Sequence, residues 1–415
     1  MGRDIRKVVV LGANGAMGSG SGAVFAAAGI DTVFLARDLE KAREGRDRAE
    51  GMVKSEELGK RIQLGTYERD LERACADADL VFEALGEDLK LKQGYFEKVD
   101  RSRKPDSIVA TVSSGLSIAG MTAGRSESFR RNFLGMHLFN PPNVIVGCEV
   151  IPHPGTDESV TRFVTELLER RLGRKVVETA DLPAFAGNRV GFKVLNEVAQ
   201  LAGEHGVAFM DALVGPHTGR ALAPLATVDL VGWDVHRAIV DNVSANTKDE
   251  AHASFALPAY MASLGESGHL GDKTPDKGGF YRRVRDGKKT EIYVLDPAKG
   301  DYHLAHDVVR DLPDFVLQMK RLHRTGRYRE AMALLLEASG KEAELLRTVI
   351  LGYVSYGLNR VGEVVREARD VDRIMGFGFN WAPPTVLVDL FGTKQTIAAL
   401  ERAKLPVPEV LTRHA

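Results

Sequence analysis

The sequence predicts an α/β fold in which a doubly wound parallel sheet is followed by duplicated all-α helical domains. Three observations predict it. Short β-branched apolar runs alternate with helix-favouring stretches in the N-terminal part. A glycine-rich loop sits between the first such run and the first helical stretch. The C-terminal part consists of long amphipathic stretches that carry one residue pattern twice.

Each element follows from its residues. Val8-Val9-Val10-Leu11 is continuously apolar, as a strand buried on both faces requires. A small-residue helix follows the glycine loop and ends at Gly29, a residue suited to a C-terminal cap. Residues 32–36 form a second strand and complete the start of a βαβ unit. Residues 38–61 read as one charged, helix-favouring stretch. Further strands are expected at 80–84, 108–112, 133–138 and 144–151. Strands and helices alternating in this way imply an open, Rossmann-type sheet covered on both faces.

After Pro154 the character becomes helical. Leu195-Asn196, Met210-Asp211, Gly215, Pro224 and Asp229-Leu230-Val231-Gly232 form one copy of a pattern. Leu358-Asn359, Val371-Asp372, Gly376, Pro384 and Asp389-Leu390-Phe391-Gly392 form the second. The two aspartates lie 18 residues apart in the first copy (229 minus 211) and 17 in the second (389 minus 372). Duplication of a helical module is the simplest reading. Residues 273–314 look like an irregular, polar connection between the copies. A chain of 415 residues exceeds what one hydrophobic core organises. The expected domains are 1–182 for dinucleotide binding, 183–314 for the first helical module with its connection, and 315–415 for its repeat.

Composition narrows the function. A hydrophobic content of 44% with 27% charged residues is that of a soluble globular protein. The formal net charge of -1 gives no reason to expect nucleic acid or an anionic membrane surface as partner. No apolar run approaches the roughly 18 residues of a membrane span. The charged N-terminus leads straight into a strand, not into a signal peptide. Cys75 and Cys148 build neither a disulfide framework nor a metal-binding spacing, which suits a reducing cytoplasm.

The loop reads Gly12-Ala13-Asn14-Gly15-Ala16-Met17-Gly18. Glycines here allow a tight turn and a close backbone approach to a pyrophosphate, with the following helix N-terminus facing the anion. The loop follows a strand and opens a helix, the context that makes such a pattern informative. Its G-x-x-G-x-x-G spacing is one residue longer than the usual G-x-G-x-x-G. The end of the second strand should carry an acid for the adenosine ribose, but Leu35-Ala36-Arg37-Asp38 puts Ala or Arg there. NAD is the expected cofactor. Arg37 keeps NADP open, because a guanidinium matches a 2′-phosphate in charge and shape; a solvent-facing arginine is the plain alternative.

Asn140-Pro141-Pro142-Asn143 is a strong turn signal between two strand-like runs. His137 and Glu149 lie six residues either side of Asn143, so a hairpin centred there sets them opposite each other, roughly 5 Å apart at Cβ. A carboxylate that fixes the imidazole tautomer and stabilises the imidazolium makes a general base near neutral pH. A purely structural pair is the alternative, and a metal site through Cys148 or His153 has no supporting spacing.

Gly12 to Gly18, Glu83-Ala84, Val112-Ser113-Ser114-Gly115-Leu116, His137-Leu138-Phe139-Asn140-Pro141, Glu149 and Phe185-Ala186-Gly187-Asn188-Arg189 occur in one order. Taken together they resemble the 3-hydroxyacyl-CoA dehydrogenase family over essentially the whole chain. The duplicated module resembles the dehydrogenase part of multifunctional fatty-acid oxidation proteins, and no enoyl-CoA hydratase segment is present. The resemblance implies an oxidoreductase that interconverts 3-hydroxyacyl-CoA and 3-ketoacyl-CoA in β-oxidation. It implies His137 as catalytic base, Glu149 as its paired acid, Ser114 as the hydrogen-bond partner of the substrate 3-oxygen, and Asn188 as a residue that fixes the substrate. It further implies that Gly12, Gly15, Ala16, Met17, Gly18, Arg37, Glu87, Lys92, Ser114, Asn140 and Lys273 lie at the cofactor, with no metal. An acyl-CoA is the expected partner, and monomer and homodimer are both open.

Two departures stand out. The segment before Ile62 is shorter than in relatives, which carry a helical hairpin there that grips the CoA nucleotide. Lys273-Thr274-Pro275-Asp276-Lys277-Gly278-Gly279-Phe280 is longer than the family's K-T-G-x-G-F-Y. The first keeps a CoA-independent 3-hydroxy acid dehydrogenase as an alternative. A cofactor-binding sensor without catalysis is the other alternative, against which His137, Glu149, Ser114 and Asn188 stand together.

Overall fold

The apolar run at the N-terminus becomes the centre of a sheet. In the computed structural model, which describes residues 3–287, 289–307 and 311–413, eight strands form it. They are β1 (Lys7–Leu11), β2 (Asp31–Ala36), β3 (Ile62–Thr66), β4 (Leu80–Glu83), β5 (Ile108–Thr111), β6 (Phe133–Leu138), β7 (Gly147–Pro152) and β8 (Lys175–Glu178). Their order is β3-β2-β1-β4-β5-β6-β7-β8. Pairing is parallel except between β6 and β7, which form an antiparallel hairpin. Val8 and Val10 enter one apolar cluster and Val9 and Leu11 the other, so the central strand is buried on both faces.

The covering helices are α1 (Ala16–Ala27), α2 (Leu39–Val53), α3 (Glu56–Gly59), α4 (Tyr67–Asp77), α5 (Leu89–Ser102), α6 (Ile118–Met121), α7 (Glu127–Arg131) and α8 (Glu158–Glu166). Asp38, Thr66 and Asp88 cap α2, α4 and α5 by accepting the amides of Lys41, Arg69 and Leu91. Such caps contribute about 1 kcal/mol each. The charged stretch at 38–61 is two helices, interrupted where Lys54 adopts a left-handed φ of 52°. β3 and β8 are additions to the strands expected from sequence; β3 carries exposed Gln63 and β8 exposed Lys175, as edge positions allow.

The chain divides into Met1–Phe185 with Phe377–Phe379, and Ala186–Gly376 with Asn380–Ala415. The second unit holds α9 (Gly187–His205), α10 (Val207–Leu213), α11 (Pro224–Val231), α12 (Trp233–Asn246) and α13 (Ala259–Glu266). After a small sheet come α14 (Asp314–Arg324), α15 (Tyr328–Glu337), α16 (Lys341–Leu358), α17 (Ala368–Gly378), α18 (Pro384–Phe391), α19 (Thr393–Arg402) and α20 (Glu409–Thr412). One contact gives the sequence repeat its physical basis. Asp211 in α10 accepts the amides of Leu225 and Ala226 at the start of α11, at 2.8 and 3.1 Å. Asp372 in α17 accepts the Thr385 amide at the start of α18, at 3.0 Å. Each carboxylate, Asp211 buried and Asp372 half-buried, accepts backbone amide hydrogen bonds at the opening of the next helix.

The connection at 273–314 is not irregular throughout. β9 (Tyr281–Asp286), β10 (Lys289–Asp296) and β11 (Asp301–Leu304) form an antiparallel sheet in the order β11-β10-β9. Asp286 pairs with Lys289 across a tight turn in which Gly287 has φ 57°. Glycine alone adopts that conformation without strain, and the lysines and arginines around it mask the turn in sequence. Residues 288 and 308–310 of that connection lie outside the described residues.

Candidate active site

The sheet order places β1 between β2 and β4, and a parallel sheet binds ligands at the carboxyl ends of strands where the order reverses. The glycine loop leaves β1 at that point. Gly12 has φ +79°, and a Cβ on it would lie 2.2 Å from the Ala84 carbonyl oxygen at the end of β4. A Cβ on Gly18 would lie 2.2 Å from the Gly12 carbonyl oxygen. The fold itself therefore requires both glycines. Gly15 differs: its φ is −76°, and an added Cβ would meet only the Gly12 oxygen, at 3.4 Å. The protein leaves Gly15 open, which is what a close-approaching ligand needs. Gly15 caps α1, whose first turn carries no acidic residue. The Gly12 amide donates to the Tyr67 hydroxyl at 2.8 Å, and burial pushes that phenol up and keeps it protonated. The loop therefore fits a pyrophosphate.

At the end of β2, Ala36 is buried and Arg37 exposed. Asp38 is committed to capping α2, its Oδ1 accepting the Lys41 amide at 2.8 Å. Arg48 donates to the Asn14 carbonyl at 2.7 Å, adding a second guanidinium at the loop.

β4 ends in the buried Glu83, which sequence reading left without a role. Its Oε1 accepts Lys92 Nζ at 2.7 Å and its Oε2 accepts the Thr111 hydroxyl at 2.5 Å. Lys92 lies 3.6 Å from Glu87 Oε2. Glu87 Oε1 accepts the Ser113 hydroxyl at 2.5 Å and the amides of Ser114 and Gly115 at 3.0 and 3.2 Å. Glu87, Lys92 and Ser114 are thus brought together. Ser113 was read only as part of a motif, and Tyr67 was not read at all. An acid ending an apolar strand was the signal for Glu83.

The β6–β7 register sets His137 directly against Glu149. His137 Nδ1 lies 2.6 Å from Glu149 Oε2, and both residues are buried, at 4% and 0% exposure. A neutral imidazole then donates Nδ1–H to the carboxylate and keeps Nε2 as the proton acceptor. The rings of Phe139 and Phe185 stand 4.8 and 5.7 Å from the imidazole centroid and keep its surroundings apolar. Cys148 is buried beside this pair; burial and the Glu149 charge push its thiol up and hold it neutral. His153 bonds the Arg130 carbonyl through Nε2 and the Gly155 amide through Nδ1. Both side chains serve the fold.

Asn140 is exposed and begins the turn between β6 and β7. Asn188 and Lys273 belong to the second unit. Asn188 is buried as the second residue of α9. Its neighbour Arg189 is fixed by Asp249 at 2.8 Å and Glu363 at 2.7 Å. Lys273 pairs with Asp234 of α12 at 2.7 Å. The segment after it is tied down by Asp229, which accepts the Phe280 and Tyr281 amides at 2.8 Å each and Trp233 Nε1 at 2.8 Å.

Residues 7–182 match the model of the 3-hydroxyacyl-CoA dehydrogenase NAD binding domain, and residues 185–283 that of the 3-hydroxyacyl-CoA dehydrogenase C-terminal domain. A probable 3-hydroxyacyl-CoA dehydrogenase of Bacillus subtilis is 31% identical over 98% of this chain and 54% of that protein, so the chain spans about half the length of that relative. A probable 3-hydroxyacyl-CoA dehydrogenase of Deinococcus radiodurans is 35% identical over 68% of this chain and 84% of its own length. In fold, the crystal structure of an Escherichia coli 3-hydroxybutyryl-CoA dehydrogenase superposes with a TM-score of 0.72 at 22% identity, covering 99% of this chain and 98% of that one. Among the described residues no helix is long and apolar enough to cross a membrane. The chain belongs to the 3-hydroxyacyl-CoA dehydrogenase family.

Proposed function

We propose that the chain oxidises 3-hydroxyacyl-CoA to 3-ketoacyl-CoA, and runs the reverse reaction, with His137 as general base. The observation that carries this reading is the buried 2.6 Å contact between His137 Nδ1 and Glu149 Oε2. Glu149 fixes the tautomer, so Nε2 takes the proton of the 3-hydroxyl and returns it in reduction. The carboxylate offsets the charge of the imidazolium that forms, in a site where Phe139 and Phe185 exclude water. The family resemblance assigns the Ser114 hydroxyl to the substrate 3-oxygen, and Asn188 to fixing the substrate. The nicotinamide, when bound, accepts or supplies the hydride at C3. Gly12, Gly15 and the opening amides of α1 at Ala16, Met17 and Gly18 would hold its pyrophosphate.

A second reading of the cofactor is favoured by one observation. Asp38 is spent on a helix cap, Ala36 carries no carboxylate, and Arg37 is exposed beside them, an arrangement that favours NADP over NAD. Two buried free cysteines support a reducing, cytoplasmic setting. The test is loss of reduced cofactor absorbance with acetoacetyl-CoA, run separately with NADH and NADPH. Turnover with either supports the reading and the faster one names the cofactor. Clear cofactor binding without turnover favours a sensor, and turnover only of free 3-keto acids a CoA-independent enzyme.

A further inference from the structure

We propose that Phe377–Phe379, where α17 ends, forms part of the wall beside His137, with Phe379 as a positioning residue that acts through Phe139. The proposal rests on the reading above, in which His137 is the base. These three residues belong to the first unit, while their neighbours on both sides belong to the second. Leu138 and Cys148 are the last paired residues of the β6–β7 hairpin, so Phe139 stands opposite Gly147 one step further on. Side chains alternate along a strand. Phe139 and Gly147 therefore share the face that bears His137 and Glu149, one pair along. Gly147 is also the register partner of Lys175 on β8.

Phe377–Phe379 crosses this row of three. The Lys175 ammonium lies 5.9 Å from the centroid of the Phe377 ring. A Cβ on Gly147 would lie 2.6 Å from the Gly378 amide nitrogen, so backbone meets backbone there. A Cβ on Gly378 would press on the Phe139 ring at 3.1 Å. The Phe379 ring meets the Phe139 ring in a T-shaped contact at 5.8 Å, and Phe139 stands 4.8 Å from the His137 imidazole. The Phe139 ring is thus confined by the imidazole, by Gly378 and by Phe379. The repeat marks this segment as a specialisation. After the glycine of the pattern the first copy reads Pro216-His217-Thr218, and the second reads Phe377-Gly378-Phe379. Water admitted beside Phe139 would compete with the 3-hydroxyl for Nε2 and screen the Glu149 charge.

The series Phe379→Leu, Phe379→Val and Phe379→Ala, made in the full chain, tests this with three measurements. Carbethoxylation of His137 by diethyl pyrocarbonate, read by peptide mass spectrometry, is expected to quicken as the side chain shrinks, by about tenfold at Ala. The kcat for acetoacetyl-CoA is expected to fall in the same order, by about tenfold at Ala, with Phe379→Leu close to wild type. The Kd of the reduced cofactor, followed by its fluorescence, is expected to move less than about threefold, because the glycine loop is untouched. That Kd also marks which variants are folded, and Phe379→Leu and Phe379→Val decide the matter if Phe379→Ala is not. Labelling that stays flat across the folded variants overturns the proposal. Labelling that quickens while kcat stays at the wild-type value overturns it as well. Should the wild type turn over no CoA thioester, the functional reading fails, and the labelling still decides whether Phe379 covers His137.

Discussion

His137→Gln keeps a polar side chain of similar reach but no atom that takes a proton near neutral pH. Turnover of acetoacetyl-CoA is expected to fall about 10²–10⁴-fold, with cofactor affinity unchanged. Glu149→Gln removes the charge that fixes the Nδ1 proton and is expected to fall comparably; near-normal kcat in either variant would sink the proposed base. The glycine loop offers a sharper discrimination, because its glycines are required for different reasons. Gly12→Ala puts a Cβ 2.2 Å from the Ala84 carbonyl at a positive φ, so it is expected to lower the melting temperature by several degrees as well as abolish cofactor binding. Gly15→Ala meets no protein atom closer than 3.4 Å. Its melting temperature is expected to stay within a degree or so of wild type while the cofactor Kd rises tenfold or more. Equal losses in both variants would mean that Gly15 serves the fold and not a ligand. None of this difference is visible in the sequence, where the two glycines look alike. Lys92 carries a further residue-scale consequence: Lys92→Met strands the buried Glu83 carboxylate, at a cost of about 3–5 kcal/mol measured by denaturant unfolding.

Among the elements, the β6–β7 hairpin was the most legible. Side chains alternate with a period of two, so a hairpin centred on Asn143 fixes which residues face each other, and 137 against 149 follows by counting. The contacts of Glu83, Thr111, Glu87 and Ser113 join different strands and loops, and no local period encodes them. The three-stranded sheet β9–β11 was hidden for a third reason: its strands carry Arg282, Arg283, Arg285 and Lys289 at partly or fully exposed positions, so composition read as loop. The Asp229 anchor gives that region a pH dependence. Burial raises the Asp229 carboxyl to about 7 despite three accepted hydrogen bonds, and raises Asp211 to about 6. Both ordinary values are about 3.9. The folded state therefore binds more protons than the unfolded one across this interval, and its stability declines as pH rises. The contribution is complete below about pH 4 and is lost on passing the folded values of about 6 and about 7. Melting temperatures of wild type and Asp229→Asn are expected to diverge in slope between pH 4 and 7, with the Asn variant flatter; parallel curves would remove Asp229 as the cause.

At the scale of the whole molecule, the repeat bears on how many copies of the chain assemble. Within the second unit, α9 of the first copy and α16 of the second pack on one another. Arg189 of α9 donates to the Tyr356 hydroxyl of α16 at 3.1 Å. Asp249 gathers Arg189, Tyr356 and Arg360 at 2.8, 2.8 and 3.2 Å, and Arg360 also pairs with Glu250 at 2.6 Å. Breaking such a buried charge network by removing one member is costly, since the remaining charges lose their partners. The apolar face that one helical module must cover is thus covered by its own repeat, where a single-module chain would need a second copy of itself. The 415-residue chain is accordingly expected to be a monomer of 45.3 kDa by light scattering at micromolar concentration. A mass of twice that value, independent of dilution, would overturn the expectation. A chain ending before α14 supplies the complementary measurement: it lacks α16 and leaves α9 without its cover, so it should dimerise or aggregate. If the shortened chain stays monomeric and folded, pairing of the two copies is not what satisfies the module.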